Sequence, residues 1–319
     1  MTSHYLVLGK NGQLGQCLTQ QLARMPNAAL LAAYGRDELD IADRAAVSNL
    51  GNGLSLDLDR DNESRESVWV LNAAAYTAVD LCESEKDACH AVNAAGPGNL
   101  ADWCREHRAG RVHLSTDYVF GGEATAPYRE TDRLAPGTEY GRSKLAGEQR
   151  VLESLPSAWV IRTSWVFGPG KNFVGAIVRQ AVLRGAGKAE GPLRVVDDQV
   201  GCPTYAADLA GAILELTEIK GANEGGLLHL SNTDPCTFWD FARAILDGTG
   251  YGDLQIDRIK TGDFVTPAPR PAYSVLDGSK AESLGINLRS WREALDDYLQ
   301  SEHFVALHRT LRAEAQAAQ

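Results

Sequence analysis

The sequence predicts an α/β fold: a doubly wound parallel sheet covered by helices on both faces, with a smaller C-terminal α/β lobe beside it. Three observations predict it. Short apolar runs alternate with longer amphipathic stretches through the first half. A glycine-rich turn joins the first run to the first helical stretch. After Trp165 the alternation loosens, with breakers at Gly168-Pro169-Gly170 and Gly185-Ala186-Gly187.

The elements follow in order. Tyr5-Leu6-Val7-Leu8 reads as a buried strand, residues 9–15 as the turn, and residues 17–24 as a helix. Residues 28–34 and 68–71 read as the second and third strands, and residues 87–107 as one long helix. Residues 111–114 form a fourth strand, 140–155 a helix and 159–162 a fifth strand. Unbroken apolar strands between helices are the pattern of a sheet buried on both faces. Residues 51–67 are rich in Asp, Glu and Arg and are expected to be a solvated loop leading into a short helix. Residues 266–271 form a proline-rich loop. The expected division is a dinucleotide domain of residues 1–163 that also receives 204–232, and a substrate lobe of 164–203 and 233–319.

The bulk properties narrow the function. The chain has 319 residues, 44% of them hydrophobic, and a formal net charge of -11. That charge repels phosphate polymers, so nucleic acid is not an expected partner, although backbone amides can still hold a small phosphorylated ligand. No apolar stretch has the length of a membrane span, and residues 1–8 show no secretory pattern, so the cytoplasm is the expected compartment. Six cysteines include no CxxC pair and no zinc spacing, so reduced thiols and no metal site are expected.

The turn Gly9-Lys10-Asn11-Gly12-Gln13-Leu14-Gly15 has the spacing GxxGxxG. One glycine makes the tight turn, one lets the backbone approach a pyrophosphate, and one permits close helix–strand packing. The helix N-terminus presents amides to the phosphates. With a strand before and a helix after, the turn defines a Rossmann-type dinucleotide site formed by Gly9, Asn11, Gly12, Gln13, Leu14 and Gly15. An acid at the end of the second strand would bind the ribose hydroxyls of NAD, but Arg36 is reached first. Arg36 either pairs with the 2′-phosphate of NADP or is a solvated surface arginine; NADPH is the expected cofactor, with NADH the alternative. Asp40 and Ile41 are expected near the adenine. Ala73, Ala74 and Ala75 let a cofactor lie across the strand ends, or else simply pack a strand–helix junction.

Tyr140 and Lys144 stand four residues apart, on one face of a helix. A ketone reduced by hydride needs a proton on its oxygen. A tyrosine can give it if a neighbouring ammonium and the positively charged nicotinamide lower a pKa that is ordinarily about 10. A strand end rich in hydroxyls, Ser115-Thr116-Asp117-Tyr118-Val119-Phe120, precedes the pair.

GKNGQLG, NAAAYTAVDLCESE from Asn72, STDYVF from Ser115 and YGRSKLAGE from Tyr140 resemble the extended short-chain dehydrogenases/reductases. RTSWVFGPGKNF from Arg162, DDQVGCPTYAADLA from Asp197 and RPAYSVLD from Arg270 narrow this to a resemblance to the dTDP-4-dehydrorhamnose reductase family over nearly the whole chain. The resemblance implies NAD(P)H-dependent reduction of dTDP-4-dehydro-β-L-rhamnose to dTDP-L-rhamnose. It implies Thr116 as the hydroxyl partner of Tyr140, Tyr140 as proton donor and Lys144 as the residue that holds the nicotinamide ribose. It also implies sugar contacts from Thr116, Asp117 and Trp165, and diphosphate contacts from Asn172 and Arg270. Taken singly, Trp165 reads equally as core, Asp117 as a cap and Arg270 as a solvated loop residue. The stretch Ala135-Pro136-Gly137-Thr138-Glu139 departs from the family pattern by an added glycine and glutamate, a change that bears on the sugar pocket. The rival readings are another nucleotide-4-keto-6-deoxysugar reductase and a non-catalytic regulatory subunit of the methionine adenosyltransferase beta type; a homodimer is the assembly considered.

Overall fold

The computed structural model describes residues 2–52, 68–219 and 225–317. The expected polar loop and short helix of residues 51–67 lie outside the described residues beyond position 52. The first half runs β1 (Ser3–Leu8), α1 (Gln13–Leu22), β2 (Ala28–Tyr34), α2 (Arg44–Ser48), β3 (Val68–Asn72), α3 (Val79–Cys82), α4 (Lys86–His90), α5 (Gly96–Glu106), β4 (Gly110–Thr116), α6 (Glu139–Ser154) and β5 (Trp159–Thr163). There follow β6 (Val166–Phe167), α7 (Phe173–Gly185), β7 (Leu193–Val196), β8 (Val200–Gly201), β9 (Thr204–Tyr205), α8 (Ala206–Glu218) and β10 (Gly226–His229). The chain ends with β11 (Cys236–Thr237), α9 (Phe238–Gly248), β12 (Ile256–Ile259), α10 (Ser279–Ser283), α11 (Trp291–Gln300) and α12 (Glu302–Ala317).

Six parallel strands form the main sheet in the order β2-β1-β3-β4-β5-β10. Side-chain alternation explains why it is covered twice. Tyr5, Val7, Leu71, Leu114 and Ile161 face α1 and α8, where Leu18, Leu209 and Ile213 meet them. Leu6, Leu8 and Val70 face the other way, onto Leu100, Trp103 and Cys104 of α5. Burying each such side chain contributes roughly 1.5–3 kcal/mol before the entropy of ordering it is counted. The connection from β1 runs to β2 on one side and that from β3 runs to β4 on the other, so a crevice opens between the carboxyl ends of these adjacent strands. All six cysteines are buried and free.

The single long helix expected over residues 87–107 is instead α4, one π turn over Ala91–Ala95, and α5. The cause is Pro97, which has no N–H to give the carbonyl four residues earlier, that of Asn93. Helix α1 begins four residues before the expected start, because the turn already closes at Gly12.

A second core joins α7, α9, α11 and α12 around Phe167, Val178, Phe241, Trp291, Tyr298 and Phe304. The parallel pair β7–β12 flanks it. It meets the main sheet near the carboxyl ends of the strands, where the buried Tyr298 hydroxyl donates to the Gly168 carbonyl at 2.8 Å.

Candidate active site

The glycine turn is held by close backbone approaches. The amides of Gly9 and Lys10 donate to the Tyr34 carbonyl at 2.8 and 3.1 Å. Gly9 has φ +81°, and a Cβ there would lie 2.6 Å from the Ala74 nitrogen. A Cβ on Gly15 would lie 2.1 Å from the Gly9 carbonyl oxygen. No side chain caps the start of α1 at Gly12, so its first amides remain open to an anion. The cradle therefore fits a dinucleotide diphosphate.

Two clefts share Asn11, Gly12, Ala73 and Ala75 and so form one groove along the strand ends. One end is walled by Gly35, Arg36, Asp37, Asp40, Ile41, Ala74 and Tyr76. The other is walled by Gln13, Leu14, Thr77, Ser115, Tyr140, Lys144, Thr163 and Lys171. Sequence reasoning missed Gly35, Asp37, Tyr76, Thr77, Ser115, Thr163 and Lys171. Ser115 and Thr163 were findable as hydroxyls at strand ends; Thr77 and Lys171 stand within the quoted strings from Asn72 and Arg162, but in loops whose pattern does not show which side chains turn into a groove.

Thr138 caps α6 by accepting the Gly141 amide at 3.0 Å, which sets Tyr140 in the first turn. Lys144, one turn later, is 2% exposed and donates to the Leu114 carbonyl at 2.5 Å. Burial pushes its ammonium down to about 8, while Glu148 opposes the shift. The Tyr140 phenol moves the other way. Burial and the charge of Asp117 push it above its ordinary value, against a hydrogen bond with Thr116. The expected lowering by the lysine is not what dominates, and the phenol stays protonated. Tyr118 packs edge-on against it, ring centroids 5.6 Å apart.

Thr116 donates to Asp117 Oδ1 at 2.9 Å. Asp117 is 2% exposed, and burial raises its carboxyl to about 6, with the Ser274 and Thr116 hydroxyls pulling the other way. Trp165 adopts a left-handed backbone, φ 45°, and stacks on Phe238 at 3.6 Å. Gly201 makes room for it, since a Cβ there would lie 2.6 Å from the indole.

Asn172 and Arg270, expected on the substrate diphosphate, already have partners. Asn172 caps α7 by accepting the Gly175 amide at 3.0 Å, and its amide group donates to the Gly168 and Gly170 carbonyls and the Tyr298 hydroxyl. Arg270 pairs with Asp80 at 2.8 Å and donates to the Ala268 carbonyl. A diphosphate would have to draw either side chain from these contacts. Glu139, the departure noted in sequence, turns away to His90 at 2.8 Å and to Arg142 at 2.9 Å, and so anchors α6.

A dinucleotide cradle, a hydroxyl strand end and a Tyr–Lys pair on one helix face together define an NAD(P)-dependent oxidoreductase of the short-chain dehydrogenase/reductase type. The family model described as the RmlD substrate binding domain matches residues 3–304, and the chain belongs to that family. The chain is 40% identical to the dTDP-4-dehydrorhamnose reductase of Mycolicibacterium smegmatis, over 93% of this chain and 85% of that protein. It is 38% identical to a probable dTDP-4,6-dihydroxy-2-methyloxan-3-one 4-ketoreductase of Streptomyces antibioticus, over 94% and 97% of the two chains. Among solved structures, the dTDP-4-dehydrorhamnose reductase of Bacillus anthracis in complex with NADP superposes with a TM-score of 0.80 at 32% identity, over 94% of this chain and 99% of that one.

Proposed function

We propose that this enzyme reduces the 4-keto group of dTDP-4-dehydro-β-L-rhamnose to give dTDP-L-rhamnose, using NADPH or NADH. The observation that carries the reading is the position of Tyr140 and Lys144 on the wall of the groove that continues to the glycine turn. The names of the family's members supply the substrate.

When bound, the dinucleotide supplies hydride to the carbonyl carbon. The chain's own residues do the rest. Gly9, Gly12 and the open amides of α1 hold the diphosphate. Arg36, Asp40, Ile41 and Ala73 to Ala75 frame the adenosine end. Tyr140 keeps its proton until negative charge grows on the substrate oxygen, then releases it there. Lys144 holds the ribose and, as an ammonium, eases the loss of that proton. Thr116 orients the phenol. Asp117 and Trp165 face the sugar, and Asn172 and Arg270 reach its diphosphate by giving up their present partners.

The same reading divides the chain into a dinucleotide domain of residues 1–163 with 204–232, and a substrate lobe of 164–203 with 233–319. It places the enzyme in the cytoplasm and takes a homodimer as its assembly, which sedimentation of the purified protein tests. The decisive experiment follows loss of dihydronicotinamide absorbance with a panel of dTDP-4-keto-6-deoxysugars, with product stereochemistry read by NMR. Turnover of dTDP-4-dehydro-β-L-rhamnose with formation of the rhamnose product is expected. Turnover of a different keto sugar alone would move the assignment to a sibling reductase. Absence of turnover, together with a stable complex with methionine adenosyltransferase, would overturn it.

A further inference from the structure

We propose that Glu38 sets the cofactor choice of this reductase by holding Lys10 away from the ribose end of the groove; the inference rests on the dinucleotide-binding reading above. The Lys10 ammonium donates to Glu38 Oε1 at 2.6 Å, and the Gly35 amide donates to Glu38 Oε2 at 2.7 Å. One carboxylate thus occupies both a cation of the glycine turn and an amide at the end of β2. Lys10 and Glu38 do not wall the groove, but their neighbours Gly9, Gly35, Arg36 and Asp37 do. A Cβ on Gly35 would lie 2.5 Å from the Asn11 amide nitrogen and 3.4 Å from the Glu38 carboxylate, so these groups crowd one corner.

The consequence is electrostatic. Lys10 and Arg36 are set against Asp37, Glu38 and Asp40, so this end of the groove carries one net negative charge. Its hydrogen bond to Lys10 holds the Glu38 carboxyl below the usual carboxylate range, with the Gly35 amide adding to the effect, so the group is ionised throughout the working range. A 2′-phosphate brings roughly -1.5 to -2 charges. It would find Arg36 free to meet it, but also a carboxylate behind the wall and a lysine and an amide already engaged. A 2′-hydroxyl brings no charge and can donate to a carboxylate, so this balance does not count against it. Glu38→Gln keeps one acceptor oxygen, which can still take the Gly35 amide, but gives up the charge and the second acceptor that hold Lys10.

The bland alternative is that the pair only pins the turn. Lys10 and Glu38 are 32% and 49% exposed in their side chains, a setting in which an ion pair contributes little stability, so the variants should fold. The test measures dissociation constants of NADPH and NADH on the full chain by calorimetry, for wild type, Glu38→Gln, Lys10→Met and the double variant. Glu38→Gln is expected to tighten NADPH by roughly five- to tenfold while NADH moves less than about twofold. The double variant should lose that gain, and added salt should shrink it in the single variant. An unchanged NADPH-to-NADH ratio in Glu38→Gln, or equal weakening of both dinucleotides, would overturn the role of Glu38 while leaving the reductase reading intact. Failure of the wild type to bind either dinucleotide would overturn both.

Discussion

Glu148 closes on Arg162 through two hydrogen bonds of 2.9 and 2.7 Å, one turn beyond Lys144 on the same helix. Both side chains are buried, and the carboxylate also accepts the Ser115 hydroxyl at 2.5 Å. This network ties α6 to β4 and β5 directly beneath the Tyr–Lys pair. Glu148→Gln removes the charge that Arg162 needs and leaves a guanidinium buried without its counter-charge. The expected cost is about 3–5 kcal/mol of folding stability, read by denaturant titration. A loss below about 1 kcal/mol would show that water replaces the carboxylate.

The proton assignment predicts a separable effect at Tyr140. Tyr140→Phe keeps the ring and its edge contact with Tyr118 but removes the hydroxyl. Turnover should fall by roughly two to four orders of magnitude, while the dissociation constant for NADPH changes little. Wild-type turnover in this variant is incompatible with the proposed donor.

Lys144 makes the rate depend on pH. Its amine titrates near 8, so kcat/KM should fall as the pH rises through that value and the ammonium is lost. Stability runs oppositely. The native pKa lies below that of the unfolded chain, about 10.4, so across this interval the unfolded chain binds more protons. Wild type should therefore gain stability from about pH 8 to about pH 10, relative to Lys144→Met, in paired denaturation series. A rate that stays level to about pH 9.5 would contradict the lysine's role.

Asn172→Ala distinguishes a cap from a ligand. Loss of the cap on α7 should cost about 0.5–2 kcal/mol. If the diphosphate also draws on Asn172, KM for the sugar nucleotide should rise roughly tenfold at unchanged kcat. A stability loss with unaltered KM would confine the residue to the cap.

The parts legible in the sequence are those fixed by local pattern. Strand β2 lies at its expected residues, and Tyr140 and Lys144 share a helix face as their spacing requires. What escaped depends on residues distant in the chain. Glu148 closes the YGRSKLAGE string with no role attached to it, because its partners Ser115 and Arg162 stand 33 and 14 residues away, on strands. Glu38 follows the end of β2 but is turned back by Gly35 and by Lys10, 28 residues earlier. The π turn was hidden because alanines and Pro97 in one amphipathic run look like an uninterrupted helix.

That π turn fixes where α6 can sit. With Pro97 in the chain, the Asn93 carbonyl faces Gly147 so closely that a Cβ there would lie 2.1 Å from it, and the Asn93 side chain donates to Ser143 at 3.1 Å. The surplus residue of the π turn acts as a vernier. Deleting one residue between 91 and 95 would rewind the segment as α-helix and swing everything after it by about 100°. Asn93 would then lose its register with Ser143, and the helix bearing Tyr140 would no longer have its stop. Natural chain-length variation should accordingly avoid this single turn while sparing the loops on either side.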